Sequence, residues 1–218
     1  MKTKASKAIL WIAALLPLVM AAVFWSRLPA QVPIHWSIDG TVDRYTGRAV
    51  LWGLAALNPL IAVLMAVMPR LDPKRSNYAK FEGSYFTFRL IVVLLFDGCM
   101  AVTITESLRP GTVGVGLCTQ LMVGLMLVLI GNMMPKFRQT WFCGIKNAWT
   151  LSSERIWTRT HRLGGYSYFI AGLVCMACAF LPAPWNFALT LASVLAAALL
   201  PFVMSYVWYR QEAAGKPI

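Results

Sequence analysis

Apolar residues in this chain come in long unbroken runs, not in the narrow stripes of helices that keep one face wet. The first run covers 8–25 and follows Lys2, Lys4 and Lys7. It exceeds a signal-peptide core of roughly 7–15 residues and approaches the about 20 needed to cross a bilayer, so it reads as a retained helix kinked at Pro17. Runs at 49–68, 86–105, 115–134, 166–181 and 187–209 predict five more crossings. The pattern therefore predicts an all-α integral membrane protein with six transmembrane helices.

The polar interruptions divide those spans. In 26–48, Pro29, Pro33, Gly40 and Gly47 break any helix, and apolar residues at 32, 34, 36 and 38 predict a short extended segment with His35 on the opposite face. The stretch 69–89 is basic, with Arg70, Lys74, Arg75, Lys80 and Arg89, and 106–114 is a short turn. The longest interruption is 131–165. It holds Lys136, Arg138, Lys146, Arg155, Arg159 and Arg162 against Glu154, together with Trp141, Trp149 and Trp157, a mixture suited to an anionic membrane face. Ser152 as cap, Glu154 in the first turn and Gly164-Gly165 as terminator predict a cytoplasmic amphipathic helix between spans four and five. Arg155, Arg159 and Arg162 then share one face, and Ile156, Thr160 and Leu163 form a less basic one.

Composition supports the membrane reading. With 59% hydrophobic residues in 218 and a mean hydropathy of +0.64, the chain is too apolar for a soluble fold. A net charge of +12 raises the possibility of nucleic acid, but the basic residues flank apolar spans in short tracts, which excludes direct nucleic-acid binding. Sixteen of the twenty Lys and Arg fall on one side; Arg27, Arg44, Arg48 and Arg109 fall on the other. The positive-inside rule then puts both termini in the cytoplasm and the 26–48 loop outside. None of the five cysteines lies in an extracytoplasmic loop, so no disulfide framework is expected.

Candidate chemistry is sparse. Asp97 is the one ionisable group deep in a span, which is costly unless it is paired, protonated or facing a cavity, and Asn58 and Gln120 are its candidate partners. A small ion- or proton-coupled transporter centred on Asp97 is therefore one reading of the chain. His35, Asp39 and Asp43 recur every four residues, but the intervening glycine and prolines favour a turn bonded to its own backbone over a metal site. His161 has no Cys or His neighbours at zinc spacing, and Cys175-x-x-Cys178 sits in an apolar helix where packing is its expected role. No nucleophile-base set and no cofactor motif is visible, so neither an enzyme nor a cofactor is expected.

Gly131-Asn132, Pro135-Lys136, Trp141-Phe142, Gly144-Ile145, Trp149-Thr150-Leu151-Ser152, Trp157 and Thr160-His161-Arg162-Leu163-Gly164-Gly165 resemble the signature of the SdpI family of bacterial membrane proteins. Leu28-Pro29, Pro33-Ile34-His35-Trp36, Asp39-Gly40 and Asp43-Arg44-Tyr45 are similar to an uncharacterised membrane domain that often precedes it. The chain divides on this view into 1–68, a two-helix unit with the outer loop, and 69–218, a four-helix unit carrying the signature. Lys146-Asn147-Ala148 departs from the family's Arg-Thr-Pro. The resemblance implies a multi-pass protein of the bacterial cytoplasmic membrane that gives immunity to a membrane-active peptide toxin and, in the type system, captures a transcriptional repressor at the membrane. The residues expected to meet lipid or a partner are Lys146, Trp149, Arg155, Trp157, Arg159, His161 and Arg162 inside, and His35, Trp36, Asp39, Asp43 and Arg44 outside.

Overall fold

A backbone surrounded by hydrocarbon must satisfy its own N–H and C=O groups, and the apolar runs accordingly form helices. The computed structural model describes residues 4–217, so Lys2 of the N-terminal basic tract lies outside the described residues. The long helices are α1 (Lys4–Phe24), α2 (Val50–Leu71), α3 (Glu82–Leu108), α4 (Val115–Met133), α6 (Glu154–Cys178) and α7 (Trp185–Ala213); α5 (Ala148–Ser152) is a single short turn. Among the described residues, five segments are long and apolar enough to cross a membrane: Lys4–Phe24, Val50–Leu71, Arg75–Leu108, Val115–Lys136 and Trp185–Ala213. The helix α6 is not one of them; Glu154, Arg155, Arg159, His161 and Arg162 make its first half polar.

The amphipathic helix and the fifth span expected as separate elements are one continuous helix. Gly164 and Gly165 do not end it, and neither has the positive φ of a terminating glycine. They are where α6 meets α4. A Cβ on Gly165 would lie 2.9 Å from the Gly131 carbonyl oxygen, and one on Gly131 would lie 2.7 Å from the Gly165 oxygen. Seven residues along each helix the contact repeats: a Cβ on Gly172 would lie 2.5 Å from Gly124 O, and one on Gly124 would lie 2.9 Å from Gly172 O. Two glycine pairs thus bring the backbones of antiparallel helices together, the small-residue packing that membrane helices favour. The N-cap of α6 is Ser153, whose Oγ accepts from Ile156 N at 3.4 Å, and not Ser152, which ends α5.

On its other side α6 packs along α7, while α1, α2 and α3 pack on one another and α3 also touches α4. Because successive long helices reverse direction, the basic segments gather at one end of the bundle. There Trp141 N donates to Asp72 Oδ2 at 2.9 Å, and Ser153 Oγ to Glu212 Oε1 at 3.2 Å.

At the opposite end 26–48 forms an antiparallel hairpin of β1 (Gln31–Trp36) and β2 (Val42–Gly47), the second strand not having been anticipated. Val32 packs with Leu28, Leu51, Met100 and Ile104 beneath the hairpin. Gly40, with φ of +85°, makes the turn. Arg48 locks the base, donating to Trp25 O at 3.2 Å and Leu28 O at 3.0 Å with its guanidinium over the Trp25 ring.

The glycine contacts lead to a stability prediction. Gly172→Leu forces a side chain into the α4 backbone and should cost at least about 1–3 kcal/mol, the usual range for overpacking. Gly116→Leu, at a position with open space around it, should cost little. Denaturant unfolding in detergent compares the two, and equal midpoints would overturn the glycine contact as a determinant of the fold.

Candidate functional site: a basic platform on a buried polar frame

Beyond the end of α4 the chain must return to the start of α6 through 137–153, a stretch rich in groups that need hydrogen bonds. It folds onto the polar half of α6. Trp157 Nε1 donates to Phe137 O at 2.9 Å, and Gln139 Nε2 donates to Thr150 O at 2.7 Å and Leu151 O at 2.9 Å. The Gln139 carbonyl accepts from Asn77 Nδ2 at 2.8 Å, while its side-chain oxygen accepts from Lys74. Thr140 Oγ1 donates to Cys143 O at 2.8 Å. Asn147 caps α5 by accepting from Thr150 N at 2.8 Å, and Thr150 Oγ1 accepts from Asn147 N at 3.0 Å in return.

Two residues tie this loop down. Asp72 is buried and accepts from Lys74 N (2.7 Å), Tyr78 Oη (3.0 Å), Trp141 N (2.9 Å) and Phe142 N (3.3 Å). His161 is fully buried and stacks on Trp157 at 4.0 Å; its Nε2 accepts from Ile145 N at 2.9 Å. The ring proton is therefore on Nδ1, which donates to Trp157 O at 2.9 Å. Gly144 makes this possible: its φ is +117°, and a Cβ there would sit 2.4 Å from His161 Nε2. Burial pulls the His161 pKa down to about 4 and pushes the Cys143 thiol up to about 12, so imidazole and thiol are both neutral near pH 7.

The expected contact residues are thereby sorted. Lys146, Arg155, Arg159 and Arg162 are exposed, and Arg159 lies over the Trp208 ring at 4.7 Å. Trp149 is half-buried against Phe202 and Tyr206. Trp157 and His161 are placed differently from the expected contact surface: at 1% and 0% exposure they are part of the buried frame. Ile156 and Thr160, the less basic face, are buried with them. Sequence reasoning missed Asp72, Gln139 and Thr140. A signal existed for Asp72, an acid followed by proline at a helix end, where Asx turns form.

In the hairpin, His35 Nδ1 lies 2.7 Å from Asp43 Oδ1, Ser37 Oγ donates to Asp43 Oδ2 at 3.0 Å, and Asp39 Oδ1 accepts from Thr41 N at 3.0 Å. Asp39 thus makes the expected self-bonded turn, and His35 holds the Asp43 carboxyl below its ordinary range. No group of three or more His, Cys, Asp or Glu suited to a metal occurs among the described residues. Arg44 is exposed opposite His35, and Trp36 is half-buried. Asp97 is buried between α2 and α3 and accepts from Asn58 Nδ2 at 2.9 Å. Gln120 goes elsewhere, donating to Thr190 Oγ1 at 2.6 Å and Cys175 O at 3.2 Å.

His161 gives a pH prediction with a definite sign. Its folded pKa lies below the ordinary 6.5, so its contribution is complete above about pH 6.5 and is lost as pH falls toward 4, a change on the order of 3 kcal/mol. Hydrogen-exchange protection of the Ile145 amide should drop over that window and lose that dependence in His161→Gln. Unchanged protection at pH 4 in the parent would sink the assignment.

Residues 136–205 match the model of the SdpI/YfhL protein family, and residues 12–58 match that of a domain of unknown function (DUF1648). Over 196 residues the chain is 20% identical to "Immunity protein SdpI" of Bacillus subtilis (strain 168), a match covering 90% of this chain and 92% of that protein. No solved structure matches. The family match begins at Lys136 and takes in the buried frame from Phe137 to His161 together with the arginine face. The chain is a membrane-integral protein whose C-terminal half is similar to the SdpI/YfhL family over 136–205 and whose N-terminal part is similar to DUF1648 over 12–58.

Proposed function

We propose that this chain is a membrane immunity protein: it protects a bacterium against a membrane-active peptide and acts by binding, not by catalysis. The 1–68 unit, with its hairpin, faces outward toward the peptide. The 69–218 unit turns its basic platform to the cytoplasm, where the platform meets anionic lipid and a soluble transcriptional repressor. Its similarity to an immunity protein supports this reading, and one structural observation carries it. Arg155, Arg159 and Arg162 stand exposed on a helix whose opposite face is fixed by buried hydrogen bonds. Attraction to lipid headgroups needs charge but no fixed geometry; a docking surface needs both.

On this reading the chain crosses the membrane six times. At about 1.5 Å per residue, the 25 residues of α6 extend about 37 Å, and α6 lies between the two apolar spans α4 and α7. Its arginines fall in the first third, where they reach the interface. Both termini are then cytoplasmic. A cysteine placed at Thr41 should react with an impermeant thiol reagent in intact cells; labelling only after the inner face is opened would reverse the orientation.

The functional test is expression in a sensitive bacterium challenged with a panel of membrane-active peptides, at matched membrane abundance. Each basic residue near an anionic leaflet is worth on the order of 1 kcal/mol, so Arg155→Gln/Arg159→Gln/Arg162→Gln should weaken the face by about 3 kcal/mol. Protection, or membrane recruitment of a soluble repressor, should fall in that variant; if charge suffices, the triple Lys variant largely keeps it. A triple Gln variant that protects and recruits like the parent would reduce the face to an anchor.

A second reading rests on Asp97. Its Oδ2 and the Oδ1 of Asn58 are buried without hydrogen-bond partners, an arrangement able to take up a proton. For a proton-coupled transporter, Asp97→Asn abolishes pH-dependent activity while the protein accumulates normally. An unchanged pH profile in that variant removes the reading.

A further inference from the structure

Arg89 is a second charge set within an apolar run, and its surroundings differ from those of Asp97. Its Nη2 donates to the Ala62 carbonyl at 3.1 Å, and its Nε is buried with no hydrogen-bond partner. A guanidinium in an apolar span is costly unless its donors find an acceptor, and a single neutral carbonyl satisfies only one of five N–H groups. Beside it, at the basic end of the bundle, α1, α2 and α3 leave a concavity of about 300 Å³, walled by Arg89, Lys7 and Arg70 with Trp11, Tyr85 and Glu82. The wall thus sets three cations against one carboxylate. The Tyr85 hydroxyl is committed to Met65 O at 2.7 Å.

We propose that this concavity binds the phosphate of an anionic phospholipid. Arg89 is the inner ligand, since its planar fork matches phosphate oxygens and it already sits below the rim; the exposed Lys7 and Arg70 close on the same group from α1 and α2. The acyl chains have a path: Trp11 and, one turn on, Leu15 are 37% and 48% exposed along α1. Basic pockets between transmembrane helices at the interface are the usual geometry for anionic headgroups. The site lies outside both the basic platform and the hairpin, so it stands whether or not the immunity reading holds.

The test reconstitutes the full chain in bilayer discs containing equal phosphatidylglycerol and phosphatidylcholine, re-extracts it in mild detergent, and measures the lipid retained by mass spectrometry. The wild type should keep phosphatidylglycerol and not phosphatidylcholine. Lys7→Gln/Arg70→Gln/Arg89→Gln should retain at least about tenfold less, each cation being worth about fivefold in occupancy. A charge-matched control at the same end, Arg75→Gln/Lys136→Gln/Lys216→Gln, should retain the lipid; equal loss in both triple variants would make the attraction a general surface effect and overturn the site. Because Arg89 also holds Ala62, the double variant Lys7→Gln/Arg70→Gln, which changes only exposed side chains, gives a reading independent of folding, and full retention there counts against the proposal. Inorganic phosphate added during extraction separates the sources. No displacement supports the lipid; displacement as effective as by added phosphatidylglycerol would show a free-phosphate site and overturn the lipid assignment.

Discussion

The structure depends on how closely α4 and α6 approach. Between helices in hydrocarbon there is little hydrophobic driving force, so association rests on packing and on how near the backbones can come. Gly124 against Gly172 and Gly131 against Gly165 remove side chains at both points of crossing, and any Cβ there would meet a carbonyl oxygen within 3 Å. Contacts at two points fix the helices in direction as well as in distance. This is why α6 runs straight through Gly164-Gly165 and why its polar first half projects past the end of α4. Met134 and Pro135, just beyond that end, pack on Gly164 and Gly165.

A projecting half-helix with Ile156, Trp157, Thr160 and His161 on one side needs cover, and the 137–153 return supplies it. The cover is polar backbone, so its buried amides and carbonyls need partners. Asp72 takes two loop amides, His161 takes one, and Gln139 serves two carbonyls at the end of α5. The residues that meet these demands cannot also meet a ligand. What remains outward is basic, because Arg155, Arg159 and Arg162 lie on the side of α6 away from the loop. Structural signature and displayed surface are two faces of one helix.

Much of this was legible in the chain. Run length predicted the helices to within a few residues at most ends, and i, i+4, i+7 spacing placed the three arginines together on one exposed face. The errors have physical sources. Gly164-Gly165 read as a helix end because a glycine pair signals termination locally; only the matching seven-residue spacing of Gly124 and Gly131 hinted that the pair was a contact. Trp157 and His161 read as interfacial because aromatic and basic residues were mixed within a few positions, and helical phase separates them only once a covering loop is assumed. Asp72 was hidden in a basic stretch whose net charge drew attention away from its one buried acid. The two-stranded hairpin was half visible, since β2 contains Asp43, Arg44 and Tyr45, all exposed, and so shows no apolar alternation.

Lys146-Asn147-Ala148, where the family that the segment resembles is expected to have Arg-Thr-Pro, separates a residue that holds the frame from one that does not. Asn147 is the N-cap of α5 and Ala148 its first helical residue. Thr and Pro are suited to those same two positions, Thr because its hydroxyl can accept from the amide of the third residue, Pro because the first helical N–H needs no partner. The pair present here therefore keeps the cap by another route, and Asn147 adds a bond from Nδ2 to Ser205 Oγ on α7 at 2.8 Å. Lys146 is different. It is exposed and contributes nothing to the cap, so exchanging a guanidinium for an ammonium there alters only the chemistry shown to the outside. An ammonium there is a point charge where a guanidinium would be a two-pronged donor, while the frame beneath is held by Asn147 and Thr150 in either case.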